Sequence, residues 1–244
     1  MADKPIRQFG RIVSPPDPRD FNLKWFIPKE IEPAPKARRW DFPADSLDQG
    51  TTPHCVGFAM ADFGINLPTF TEYTNKDGHD FYYKCKIVDG DPEGENGTTI
   101  RSAAKVLQEI GAIDNYAFAP DVESIKWWLR NKGPLIVGTI WTEEMMEPDE
   151  NLIVTTGGYT LGGHGYILNE ITEDDYLGGQ NSWGPEFGDN GRFYIHADDF
   201  SELMFNYGEA LAAVELENYR RPKENCWLVA FFKTLWEKIL KLFS

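Results

Sequence analysis

Cys55, His164 and Asn181 each lie inside a local pattern suited to one part of a nucleophilic reaction. The patterns are DQGTTPHCVGFA (48–59), GGHGYILNEI (162–171) and NSWGPEFGDNGRFYI (181–195). In cysteine chemistry the attacking species is the thiolate, so the thiol needs a nearby base or a lowered pKa. An imidazole can take that proton and return it to a leaving amine. A side-chain amide on its other ring nitrogen fixes the tautomer, which makes a Cys-His-Asn triad. The chemistry these three support is acyl transfer. Around Cys55, Gly50-Thr51-Thr52-Pro53 reads as a turn, a hydroxyl cap and a proline at the first helical position. The apolar run from Val56 to Ala61 then places Cys55 in the first turn of a buried helix, whose positive end depresses a thiol pKa. Gln49, six residues earlier, can offer its amide to an oxyanion beside the Cys55 backbone N–H. A lone cysteine in an apolar run is ordinarily a small core residue. Three coincident patterns reverse that expectation.

With these motifs the chain resembles the papain-like cysteine peptidases. The six-residue interval from Gln49 to Cys55 matches that family, and NSWG carries both Asn181 and Trp183. The resemblance makes Cys55 the nucleophile, His164 the general base, Asn181 its orienting amide and Gln49 the oxyanion donor. Trp183 would cover the His164–Asn181 bond. Pro53, His54 and Val56 depart from the family, which has Gly, Ser or Ala before the nucleophile and an aromatic after it. NGTTIRSAAKVLQEIGAI (96–113) is similar to the family's glycine-rich groove wall and following helix, with Gly97 and Thr98 lining the substrate backbone. Thr98, Thr99, Ile100, Gly138, Gly163 and Gly165 would line the pocket for the side chain second before the scissile bond. The run FGRIVSPPDPRDF (9–21) looks like the bacterial and phage branch. The implied fold is α+β and two-lobed, with Cys55 on a helical lobe and His164 and Asn181 on an antiparallel, β-barrel-like lobe. The implied activity is endopeptidase cleavage of extended polypeptide. A transglutaminase, cell-wall amidase or isopeptidase using the same triad is the alternative, and an idle binding module is a third.

A chain of 244 residues with 41% apolar content, eight Trp and sixteen Phe is long enough and apolar enough for a sizeable core. The net charge of −15 disfavours nucleic-acid binding, which needs clustered Lys and Arg. Four His and three Cys occur without CxxC, HxxxH or HExxH spacing, so neither a metal nor another cofactor is expected. His54 reads as a rim or surface residue, and His79 and His196 as structural. The acidic run 143–150 reads as solvated loop. No charged-then-apolar signal opens the sequence, and Thr52 stands where the family usually has a half-cystine. Cys85 and Cys226 then read as plain thiols, the sequon at Asn96 as idle, and the compartment as reducing, cytoplasmic or virion-associated.

The elements that must position the triad follow from the pattern. Residues 1–45 form a proline-rich leader, predicted to lie extended over the body as a partial lid, in place of the family's long inhibitory prodomain. Residues 46–219 form the peptidase domain, with a helical lobe to about 130 and a strand lobe from about 131. The Cys55 helix should fade near Gly64, with further helices at about 79–87, 98–111 and 121–132. Strands are predicted at PLIVGTIW, HGYILNEI, DYLGGQNSW and GRFYIHA. Residues 220–244 carry six Lys/Arg against two Glu, net +4, leaving −19 for the rest. Over 226–243, Leu228, Phe232, Leu235, Ile239 and Leu242 recur at helical spacing. That basic amphipathic helix suits packing on the body, a membrane surface or a partner protein. Oligomeric state is not specified.

Overall fold

The computed structural model describes residues 6–29 and 35–216. The amphipathic segment at 220–244, and Cys226 with it, lies outside the described residues. Three short strands come first: β1 (Arg11–Ile12), β2 (Phe21–Asn22) and β3 (Arg38–Arg39). Next are α1 (Cys55–Ile65), α2 (Asn75–Val88), β4 (Thr98–Thr99) and α3 (Ile100–Glu109). They are followed by β5 (Asn115–Phe118), α4 (Val122–Asn131) and the long strands β6 (Leu135–Thr142) and β7 (Thr160–Ile171). The series ends with β8 (Tyr176–Gln180), β9 (Arg192–His196), α5 (Ala197–Phe205) and β10 (Glu209–Val214).

The sheet runs β2-β5-β10-β6-β7-β8-β9, with β3 also paired to β7. Every pairing in it is antiparallel except β2 with β5. The α+β class is as expected. The barrel is not: among the described residues the sheet stays open, with β2 and β9 at its edges. It stays open because helices cover both faces. Alternate side chains of each central strand enter different cores, the period of two that a strand imposes. Ile136, Ile167 and Leu211 pack with α1, α2 and α3, whereas Leu135, Val137, Tyr166, Leu168, Ala210 and Ala212 pack on the other side with α4 and α5. A strand apolar on both faces is what the unbroken run PLIVGTI encodes.

Local signals set the helix starts. Asp121 and Thr99 accept from the backbone N–H of Ser124 and Ser102, each capping its helix. The cap expected for α1 is absent. The helix starts at Cys55 after His54, which makes no capping bond, because Thr52 turns its hydroxyl back to the Gln49 carbonyl at 2.7 Å. Pro53 therefore precedes the helix instead of opening it. Cys55 is nonetheless in the first turn, and every residue of α1 is buried.

Candidate active site

β7 and α1 meet where the candidate base and nucleophile lie. A Cβ on Gly165 would come 3.2 Å from Val56 Cα, so the residues after His164 and after Cys55 are in contact. His164 pairs with Thr139 across β6 and is fully buried. Its Nε2 is 2.9 Å from Asn181 Oδ1, an oxygen that can only accept, so Nε2 carries the hydrogen. Nδ1 is then the basic nitrogen. It is buried without a hydrogen-bond partner among the described residues. The structure thus joins His164 to Asn181, with the imidazole tautomer set by the amide, and sets their strand against the start of α1 at Cys55, although the Cys55 sulfur makes no hydrogen bond to Nδ1.

The ring lies in an aromatic box. Trp183 is 4.8 Å from it centroid to centroid, Trp141 4.9 Å and Phe9 5.9 Å. Trp183 was expected there; Trp141 was not, since the apolar strand PLIVGTIW gave no sign that its last residue turns to the histidine. This burial, opposed by Asn181 and reinforced by the charge of Arg7, lowers the His164 pKa to about 4. The Cys55 thiol is pushed up, which reverses the expected depression. Burial outweighs the backbone groups of Gly165, Gly10 and Val56 beside the sulfur. Burial thus disfavours the charged form of both groups.

The side-chain amide of Gln49 takes part in three hydrogen bonds. Its Oε1 accepts from Trp183 Nε1 at 3.2 Å, which orients the amide. Its Nε2 donates to the Thr52 carbonyl at 2.7 Å and to the Gln8 carbonyl at 3.0 Å. Trp183 thus serves both His164 and Gln49, a double use that the sequence did not reveal.

The second acceptor belongs to an N-terminal segment that threads the groove between α1 and β7. Arg7 donates to Asp48 and to the Trp183 carbonyl. Thr98 N–H donates to the Gly10 carbonyl at 2.8 Å, and β1 runs parallel to β4. Gly97 has φ +91 and would place a Cβ on the Gly10 carbonyl, so glycine is required twice over. Thr98 serves as well as a glycine because its hydroxyl turns away to Asp89 Oδ2 at 2.6 Å and only its backbone faces the groove. Gly163 backs onto the Arg11 carbonyl. The candidate groove residues Gly97, Thr98, Gly163 and Trp183 therefore surround one strand of the chain itself.

His54 is not a surface residue. It is buried, stacks on Tyr82 at 3.7 Å, and uses Nδ1 with His79 and Nε2 with Glu95. Both nitrogens are engaged on the α2 side, so it is no rival base for Cys55. His196 accepts from Asp198 N–H at the start of α5. In the acidic run, Met145 is buried while its neighbours reach solvent. No group of three or more His, Cys, Asp or Glu among the described residues could hold a metal ion. No helix among them is long and apolar enough to cross a membrane.

Solved structures share this fold. Xylellain, a cysteine protease from Xylella fastidiosa, superposes with a TM-score of 0.64 at 15% identity, over 88% of this chain and 99% of that one. The fold is papain-like. A procathepsin B from Trypanosoma congolense matches with a TM-score of 0.62 at 9% identity, covering 84% of this chain and 85% of its own. Procathepsin L 3 from the larval midgut of Tenebrio molitor gives 0.57 at 14%, covering 87% and 76%. No family model and no curated protein sequence matches the chain. At these identities the likeness is one of papain-like fold alone.

Proposed function

We propose that the chain is a cysteine endopeptidase whose groove is held shut by its own N-terminal segment. The supporting observation is the His164 tautomer: Nε2–H is spent on Asn181, and Nδ1 is left basic beside the α1 N-terminus that carries Cys55. In the proposed reaction, His164 Nδ1 takes the thiol proton and the Cys55 sulfur attacks the peptide carbonyl carbon. The oxyanion is held by Gln49 Nε2 and the Cys55 backbone N–H. His164 returns the proton to the amine, the C–N bond breaks, and a thioester remains. Water, deprotonated by His164, then releases the acid and restores the thiol.

The reaction requires the segment to leave. While it is in place, the Gln8 carbonyl occupies Gln49 Nε2, and burial disfavours the charged form of thiol and imidazole. From Gln8 to Arg11 the segment runs from the oxyanion donor toward the side-chain pocket. A substrate whose second residue before the scissile bond fills that pocket runs the opposite way. The segment thus fills the groove without presenting a carbonyl in a cleavable frame. The test is hydrolysis of an unfolded protein by wild type and by Cys55→Ala, with peptidoglycan as a second substrate. Cys55-dependent peptide cleavage supports the endopeptidase. Cys55-dependent release from peptidoglycan alone moves the chain to a cell-wall amidase, and activity retained by Cys55→Ala overturns the thiol mechanism.

A further inference from the structure

Apart from Cys55, Asp62 is the one ionisable residue of α1; the rest of that helix is apolar or glycine. It follows Cys55 by seven residues, two helical turns. The two side chains therefore leave the same face of α1, about 20° apart around the axis and about 10 Å along it. Val56, beside the nucleophile, already meets Gly165 of β7. Asp62 makes a second tie to the strand lobe, two turns further on. It is fully buried. One carboxyl oxygen accepts from the Ser182 hydroxyl, and the other has no partner among the described residues.

Ser182 is placed to carry that tie into the site. Its carbonyl accepts from the Gln49 backbone N–H at 2.9 Å. Asn181 before it accepts from His164 Nε2, and Trp183 after it donates to Gln49 Oε1. The Asn181 carbonyl is held in turn by Ser46 Oγ at 2.8 Å. Packing alone does not call for the acid. A buried carboxyl with one oxygen unpartnered costs stability, whereas an apolar side chain would fill the same helix face without that cost. What the acid adds is direction. An acceptor fixed on the helix of the nucleophile aims the Ser182 hydroxyl, and so sets how the Asn181 amide meets the imidazole.

We infer that Asp62 is a positioning residue of the catalytic pair: through Ser182 it holds the Asn181 amide on His164 in register with Cys55 on α1. The inference rests on the peptidase reading and extends it to a side chain outside the triad and the oxyanion donors. Asp62 does not touch the reacting atoms; it acts through Ser182 and Asn181. Burial raises its pKa to about 7, so below that pH the amide of Asn is an isostere that offers the same acceptor.

The test compares the full chain as wild type, Asp62→Ala, Ser182→Ala, the double variant and Asp62→Asn. It is run at about pH 6, where His164 is neutral and Asp62 protonated. The readouts are hydrolysis of an unfolded protein and the ring-nitrogen NMR shifts of His164, assigned by their loss in His164→Gln. In the wild type the ring proton should lie on Nε2. Asp62→Ala and Ser182→Ala should each move the ring toward a mixture of tautomers. Each should lower kcat about three- to tenfold with KM within about twofold, the scale of one neutral hydrogen bond as a rate ratio. The double variant should lose no more than either single one, and Asp62→Asn should restore both readouts. A change in Tm alone, with tautomer and kcat as in the wild type, makes Asp62 a core residue and overturns the inference. Losses that multiply in the double variant, or an Asp62→Asn as impaired as Asp62→Ala, overturn it too. If Asp62→Ala does not fold, Asp62→Leu, which fills the space without an acceptor, takes its place under the same criteria. These failures leave the peptidase standing. A wild type without Cys55-dependent hydrolysis overturns the peptidase and this role with it.

Discussion

The side-chain amide of Gln49 donates to the backbone carbonyl of Gln8 at 3.0 Å, although the two residues are forty-one apart in sequence. A carbonyl from the same chain thus lies against the donor proposed for the oxyanion. Trp183 and Thr52 fix the rest of that amide, so its position does not depend on the Gln8 contact.

Gln49→Ala is accordingly expected to fold, and to slow turnover by about 10²-fold or more, the cost of removing one oxyanion donor. The loss should appear in kcat and leave KM nearly unchanged, since the interaction strengthens only as charge develops on oxygen. A loss confined to KM would assign Gln49 to ground-state binding.

Cys55→Ala should abolish hydrolysis, and thiol-directed inhibitors should mark Cys55 before Cys85. Both thiols are buried in the closed chain, and burial pushes both up. Only Cys55 stands at the groove, so displacing the segment exposes it and not Cys85, which packs on Met60. Peptide mapping after alkylation in the presence of a substrate-like peptide checks this. Preferential modification of Cys85 would remove Cys55 from the site. Asn181→Ala should be milder than Cys55→Ala, because it frees the imidazole from its tautomer without removing the base.

The candidate site was legible because its residues lie in compact motifs, whereas the groove's occupant was only partly so. The triad and Gln49 occupy three short stretches, each with its own local pattern. The parity of Leu135, Ile136 and Val137 also reads directly as a strand buried on both faces. The strands β5 and β10 escaped notice: NYAF is short, and EALAAV has helix-forming alanines that sheet pairing overrides. The start of α1 was misread because Thr52 has two possible partners and chooses the Gln49 carbonyl. Arg11 gave no local signal. Its partners Tyr207 and Glu209 are almost two hundred residues away, a pairing only the fold creates.

Two deletions should separate the parts of the N-terminal segment. Removing residues 1–12 takes away Gln8, Gly10 and Arg11, all at the groove, and should raise hydrolysis of a small fluorogenic peptide while leaving the chain folded. Removing residues 1–36 also takes Leu23 and Phe26 from the core, where they are 0% and 5% exposed. Each buried side chain of that kind contributes roughly 1.5–3 kcal/mol. The longer deletion should therefore lower the Tm markedly. If the shorter deletion stays folded but gains no activity, the segment does not shut the groove.

Asp62 provides a pH dependence that can be worked out in sign. It lies on α1, fully buried, and accepts from the hydroxyl of Ser182, the residue after Asn181; its other oxygen has no partner among the described residues. Burial, against the smaller effect of Ser182, raises its pKa from 3.8 to about 7. The folded chain thus binds a proton there that the unfolded chain releases above 3.8. Its contribution to stability is present below that value and is lost as pH rises to about 7. His164 works in the opposite sense: with its pKa lowered from 6.5 to about 4, it favours the fold above 6.5 and withdraws that support as pH falls toward 4. In the wild type the two trends offset one another between pH 4 and 6.5. Asp62→Asn keeps an oxygen to accept from Ser182 but carries no titrating proton. The variant should gain on the wild type steadily from pH 4 to 7 and hold a constant advantage above, leaving the acid-side loss from His164 visible by itself. Urea unfolding at a series of pH values measures both curves. Parallel curves for the two proteins would mean that Asp62 is ionised in the fold throughout that range.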